Sequence, residues 1–215
     1  MTRIALIHAL AHSVAPVNDA MARDWPQAVR MNLLDDSLSA DLAAGGGLDA
    51  AMHRRFERLA QYAVDCGSDA ILFTCSAFGP CIEHVARQHA PMPVLKPNEA
   101  MVADACAMGV RIGLLATFGP TLESMPPEFP AGAQVECKLA DGALAALDAG
   151  DAATHDVLVA QASVELARRG CGVIALAQFS MARARDEVAT RTGLPVLTTV
   201  DSAVAELKRR LGVTS

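Results

Sequence analysis

Aromatic side chains are scarce in this chain: one tryptophan, one tyrosine and six phenylalanines among 215 residues. The 52% apolar content is carried mainly by alanine, valine and leucine, which suits many short strands and helices packed closely together. No run of about 18 apolar residues occurs, so no membrane span is expected. Positive charge is not in excess. The net charge is −6 and no basic patch shows, which argues against nucleic acid or an anionic membrane as partner. No C-x-x-C pair is present, and six cysteines at 66, 75, 81, 106, 137 and 171 are scattered over a chain too long to need a disulfide framework. Reduced thiols are expected. Gly45-Gly46-Gly47 lacks the G-x-x-x-x-G-K-[ST] pattern and has no strand immediately before it, so it reads as a mobile loop rather than a phosphate cradle.

What is present is a regular alternation of strand and helix patterns. The chain is long enough to bury a substantial core, as one domain or two small lobes. Met-Thr-Arg followed by Ile4 to Ala11 has the outline of a short signal peptide, but His8 interrupts it and Ile4 to Ile7 serves better as a first strand. A cytoplasmic protein is expected. A helix over 15–23, a strand over 28–33 and a helix over 48–64 follow, the last with Leu48, Met52, Phe56, Leu59 and Ala63 at helical spacing. Arg54, Arg55, Glu57 and Arg58 on its other face read as solvated. Further strands are expected at 70–73, 93–95, 111–116, 133–139, 173–177 and 195–197, and helices at 98–108, at 181–192 and, after a break at Gly150, up to Arg169. Asn98 and Asp201 are expected as helix caps, and Met125 to Pro130 as a loop.

The order repeats itself. Arg3-Ile4-Ala5-Leu6-Ile7 resembles Arg111-Ile112-Gly113-Leu114-Leu115; Gly67 with Ala70-Ile71 resembles Gly170 with Val173-Ile174; Pro93-Val94-Leu95 resembles Pro195-Val196-Leu197. Each pair is displaced by a little over a hundred residues. The simplest fold is α/β, with two similar parallel-sheet lobes related by pseudo-two-fold symmetry and a shared cleft, the lobes being 1–96 with 199–215, and 97–198. The expected cleft walls are residues 8 to 12, 74 to 79, 117 to 121 and 178 to 181. In this alignment Cys75 matches Gln178, Ser76 matches Phe179, and His8-Ala9 matches Ala116-Thr117.

Cys75 falls just past the end of the buried run Ala70 to Phe73, where the pattern turns helical at Gly79-Pro80. Open α/β sheets bind ligands at that edge, and a thiol facing the amides of a helix N-terminus can have its pKa lowered. Thr74, Ser76 and the amides of the turn are placed to hold a carboxylate beside it. Cys81 stands where a phosphatase loop of the C-x₅-R kind would need arginine, which disfavours phosphoryl chemistry. His8 and His12, or His84 and His89, are metal pairs only by count, with no carboxylate or cysteine pattern to complete a site, so no metal is expected.

Phe73-Thr74-Cys75-Ser76, Leu115-Ala116-Thr117 through Thr121, and Gly170-Cys171-Gly172-Val173-Ile174-Ala175-Leu176-Ala177-Gln178 together resemble the aspartate/glutamate/hydantoin racemase superfamily, which also includes arylmalonate decarboxylase and maleate isomerase. The resemblance implies cofactor-independent acid/base chemistry at the α-carbon of a small carboxylate or related carbonyl compound, and implies a homodimer. It also implies a cysteine from each lobe, one on either side of that carbon. This sequence has Cys75 and, at the second position, Gln178.

Racemisation needs a proton taken from one face and returned to the other by two acid/base groups, while donors stabilise the enediolate-like intermediate. A glutamine amide does not exchange a proton near neutral pH, though it donates hydrogen bonds. The site expected from these considerations comprises Cys75, Gln178 and His8 for catalysis. Thr74, Ser76, Ala77, Phe78, Gly79, Thr117, Thr121, Phe179 and Ser180 are expected to bind substrate. His8 either replaces the missing base or holds the loop by hydrogen bonds; the sequence leaves both open. A racemase-type isomerase leads, with a one-cysteine decarboxylase or cis-trans isomerase next and a non-catalytic carboxylate sensor as the alternative of a different class.

Overall fold

A computed structural model describes residues 1–213. The chain divides into two compact units, residues 1–97 together with the stretch from Ala203 onward, and residues 98–202. In the first unit β1 (Arg3–His8), β2 (Val29–Leu34), β3 (Ala70–Phe73) and β4 (Val94–Leu95) form a parallel sheet in the order β2-β1-β3-β4. In the second, β5 (Ile112–Ala116), β6 (Val135–Leu139), β7 (Val173–Leu176) and β8 (Val196–Thr198) form a parallel sheet in the order β6-β5-β7-β8. The internal repeat in the sequence is therefore a repeat of topology. The central strands β3, β5 and β7 are buried along their whole length, which is why they read as unbroken apolar runs.

The helices of the first unit are α1 (Val14–Asp24), α2 (Ser37–Asp41), α3 (Ala50–Asp65) and α4 (Gly79–Gln88). Those of the second are α5 (Glu99–Ala107), α6 (Gly119–Ser124), α7 (Ala143–Asp148), α8 (Ala152–Arg168) and α9 (Arg185–Thr192), and α10 (Thr199–Arg210) starts there and continues past Ala203. Among the described residues no helix is long and apolar enough to cross a membrane. Asp49 caps α3 by accepting from the Met52 amide at 2.8 Å, and Asp151 caps α8 by accepting from the Thr154 amide at 3.0 Å.

Several local expectations are corrected. Asn98 stands at the N-cap position of α5 as expected, but its side chain makes no capping bond: its Nδ2 donates to Glu128 Oε1 at 2.7 Å, a carboxylate thirty residues away that no local pattern reveals. Asp201 is not the cap of α10. Thr198 holds that place, accepting from the Asp201 amide at 3.0 Å while its hydroxyl donates to Asp201 Oδ2 at 2.8 Å, a reciprocal arrangement akin to a capping box. Leu42–Gly46 forms a wide helical turn that takes in the first two residues of the expected loop Gly45-Gly46-Gly47, and Gly45 at φ 102° bends it in a conformation that residues other than glycine rarely adopt. Pro126–Glu128 is a short 3₁₀ turn, and the stretch expected as one helix from 181 begins as a 3₁₀ turn, Phe179–Ala184.

Each core fits its repeat. In the first unit Phe56 of α3 lies against Phe73 and Phe78, with ring centroids 5.2 and 5.0 Å apart. In the second, a Cβ at Gly113 would lie 3.1 Å from Leu166 and Ile174, so α8 packs on β5 at a distance only glycine allows without displacement; Ala5 occupies the equivalent place in β1.

Candidate active site

Parallel strands bring their C-terminal ends to one edge of each sheet, and the register decides which residues meet there. Ile7 pairs with Phe73 and Leu115 with Leu176, and the next backbone bond is the same in both units: the Thr74 amide donates to Ile7 and the Ala177 amide to Leu115. Cys75 lies two positions after Phe73, and Gln178 two positions after Leu176, the last paired residues of β3 and β7 in these ladders. Cys75 and Gln178 thus occupy equivalent strand exits. Each is followed by a 3₁₀ turn, Ser76–Phe78 after Cys75 and Phe179–Ala184 after Gln178. α4 opens on Gly79-Pro80 and α6 on Gly119-Pro120, proline suiting a first turn whose amides have no helical acceptor.

Cys75 is half-buried. Burial pushes its thiol above the ordinary cysteine value, opposed by hydrogen bonds from the Ala77 amide and the Ser39 hydroxyl. The expected lowering by the helix N-terminus is corrected: removal of water from the sulfur outweighs the two donors. Cys81, fully buried on α4, is pushed up to about 11 by burial and by Asp49, and its surroundings offer no such donors.

His8 is fully buried, and both ring nitrogens are engaged. Nε2 lies 3.0 Å from Asn32 Oδ1 and Nδ1 lies 3.0 Å from Thr74 Oγ1. Asn32 Oδ1 can only accept and also receives Asn18 Nδ2 at 2.8 Å, so the imidazole carries its proton on Nε2 and the Thr74 hydroxyl donates to Nδ1. Burial lowers the His8 pKa, with the Asn32 bond opposing, so the ring is neutral. This geometry favours the positioning role of the two left open. His8 fixes Thr74, and the Thr74 hydroxyl is spent inside the β1–β3 pair.

A stability consequence follows from the neutral ring. An unfolded histidine protonates near 6.5, whereas folded His8 resists the proton, so its contribution is complete above that pH and declines as the pH falls through and below it. Urea unfolding at about pH 7.5 and about pH 5.5 should show this loss in the unmodified protein and a smaller one in His8→Gln. Equal losses in both would remove His8 as its source. Asp35, whose pKa is also lowered, acts only at more acidic pH.

In the second unit Gln178 Oε1 accepts from the Thr117 amide at 2.6 Å and from the Thr117 hydroxyl at 3.1 Å. Pinned by two donors, the amide turns its NH₂ end away from Thr117. Ser180 and Thr121 are buried, and Ser76, Ala77 and Gly79 are half-buried beside Cys75. Phe78 packs in the aromatic cluster of the first core, and Phe179 is buried at the start of the turn after Gln178. Leu10 and Phe118, at matching positions of the repeat and within the expected wall segments 8 to 12 and 117 to 121, are 40% and 42% exposed. Ser39 and Asn32 were overlooked. Their one sequence signal is position, Asn32 in the C-terminal half of β2 and Ser39 in α2, which follows it.

A family model described as Asp/Glu/Hydantoin racemase matches residues 13–207. Comparison with curated protein sequences gives no match. Among solved structures, the aspartate racemase of Picrophilus torridus is similar with a TM-score of 0.76 at 11% identity, covering 99% of this chain and 95% of that one. Allantoin racemase from Klebsiella pneumoniae is similar with a TM-score of 0.74 at 18% identity, over 99% and 89%. Unliganded arylmalonate decarboxylase is similar with a TM-score of 0.66 at 16% identity, over 100% and 95%. At these identities the likeness is one of fold.

Proposed function

Because the chain belongs to the Asp/Glu/hydantoin racemase family, we propose that it is a cofactor-independent racemase-type enzyme that moves a proton at the α-carbon of a small carboxylate or related carbonyl compound, with Cys75 as its acid/base group. The observation that carries this reading is the unequal furnishing of two equivalent strand exits. One holds a half-buried thiol; the other holds an amide whose oxygen is pinned by Thr117. The thiolate of Cys75 takes the α-proton, and the electrons left on carbon spread into the carbonyl as an enediolate. Ser76 and the amides of the turn after Cys75 donate to its oxygens. The proton then returns from the Cys75 thiol to carbon.

One thiol serves one face, so exchange with solvent should run far faster than interconversion of enantiomers. His8 is committed to Asn32 and Thr74 and does not supply the second face. The same asymmetry supports a second reading, a decarboxylase in which Cys75 protonates the carbanion left when carbon dioxide departs.

The test is incubation of the pure protein in deuterium oxide with amino acids, hydantoins and aryl malonates. Deuterium appearing at the α-carbon of one enantiomer supports the proposal, and carbon dioxide release supports the second reading. Saturable binding with neither result would overturn both in favour of a carboxylate sensor.

A further inference from the structure

The end of β1 is fastened by the segment that follows β2. In the first unit the Asp35 amide donates to the His8 carbonyl at 3.0 Å, and the Ser39 hydroxyl of α2 donates to the Ala9 carbonyl at 3.0 Å. Both acceptors lie where β1 ends, and the His8 ring in turn holds Thr74, the residue before Cys75. Leu38, between the two donors in sequence, is buried in the core cluster against which Cys75 and Ala77 pack.

A five-residue helix is too short to hold itself in place, so something must fix α2. Arg55 of α3 does so. Its Nη2 donates to Asp35 Oδ2 at 2.7 Å and to Ser37 Oγ at 2.6 Å, its Nη1 pairs with Asp41, and Ser37 Oγ donates to Asp35 Oδ1 at 2.6 Å. One guanidinium thus ties both ends of α2, with Leu38 and Ser39 between them. The Arg55 and Asp35 side chains are only 27% and 28% exposed, so water screens this pair less than an open surface ion pair. The sequence reading of Arg55 as part of a solvated face is corrected by this clamp, whose partners lie 14 to 20 residues away.

We propose that Arg55 is a positioning residue of the Cys75 exit, clamping α2 across the end of β1 and so fixing His8, Thr74 and the sulfur that follows them. It acts through α2 and not by contact with substrate. The effect on turnover rests on the reading of Cys75 as the acid/base group.

The second unit shows why the first needs such a clamp. There the Ala140 amide donates to the Ala116 carbonyl at 2.8 Å, the equivalent of the Asp35 bond to His8. Beyond it Thr117 fastens its own strand end, through its amide and hydroxyl on Gln178 Oε1. Ala9, at the matching position of the repeat, has no hydroxyl. The first unit takes its grip from α2 instead, and Arg55 holds α2.

The experiment is Arg55→Ala in the full chain, followed by deuterium exchange of the backbone amides over 35–42 and by iodoacetamide alkylation of Cys75, read by peptide mass so that the other five cysteines do not interfere. Without the clamp those amides should exchange about tenfold faster while β1 and β3 keep their protection, and Cys75 should alkylate about tenfold faster at constant pH as Leu38 leaves its cluster. In turnover, kcat for α-carbon exchange should fall about tenfold with KM within about twofold, because misplacing a reacting group costs rate more than binding. Arg55→Lys keeps the charge without the fork and should recover part of each change. If Arg55→Ala does not fold, Ser37→Ala and Asp41→Asn, each removing one arm of the clamp, should give smaller changes in the same direction. Amide exchange and alkylation equal to those of the unmodified protein would overturn the proposal; so would freed amides with unchanged Cys75 reactivity, which would make the clamp merely structural. Alkylation and amide exchange use no substrate, so a protein without turnover would sink the reading of Cys75 and leave this test standing.

Discussion

Cys75→Ala is expected to lower α-carbon exchange by about 10²–10⁴-fold, the usual worth of a positioned acid/base group, while ligand affinity changes little. The sulfur is half-buried at a strand exit and its neighbours hold their positions without it. Thr74 is fixed by the Ile7 carbonyl and His8, and Ser39 keeps the Ala9 carbonyl as its acceptor. Removing the sulfur therefore removes chemistry and leaves the binding groups in place. In the unmodified protein the rate should rise with pH through a midpoint above that of an ordinary thiol, because burial penalises the thiolate. Steady exchange rates and isothermal titration with a substrate carboxylate measure the two effects separately. Exchange retained in Cys75→Ala would transfer the chemistry to another group and end the present reading.

Gln178→Cys is expected to do the opposite and create interconversion of enantiomers, by about 10²-fold or more over the unmodified protein. The reason lies in Thr117. Its amide and hydroxyl, now donating to Gln178 Oε1 at 2.6 and 3.1 Å, would face a sulfur instead, and two donors on a thiolate favour its formation. The variant would then carry a thiol at the strand exit of each unit. Chiral chromatography of product over time reads the gain, and deuterium content in each enantiomer reads which face exchanges. Rapid interconversion already present in the unmodified protein, unchanged in Gln178→Cys, would defeat single-face chemistry. If His8→Asn then abolished it, the imidazole would be the second base despite its two hydrogen bonds.

How much was legible beforehand depended on how local the signal was. The buried strands Ala70–Phe73, Ile112–Ala116 and Val173–Leu176 are apolar runs because both faces of a parallel sheet are covered, and that leaves its mark in consecutive residues. The repeat then placed Cys75 opposite Gln178 in alignment, and the register reproduces the pairing residue for residue. Helix caps were legible only in part. Thr198 and Asp201 lie three residues apart and carried a local signal, though their roles were reversed; Asn98 turned to Glu128, for which sequence spacing offers no guide.

The sequence by itself determined the α/β class, the doubled strand order, the strand-exit position of Cys75 and the presence of Gln178 at the equivalent position of the repeat, because each is written in periodicity or in the residue type at one site. Tertiary structure alone decided what surrounds those sites. The His8 to Asn32 and Thr74 bonds, the Ser39 to Ala9 bond, the Arg55 clamp on α2 and the Thr117 grip on Gln178 join residues 14 to 66 positions apart. Such bonds follow from strand register and from the packing of α2 and α3, which no window of neighbouring residues contains. The direction of the Cys75 shift has the same origin. A helix N-terminus is visible in sequence and lowers a thiol's pKa, but the water excluded from the sulfur depends on every element packed around it, and here that exclusion wins.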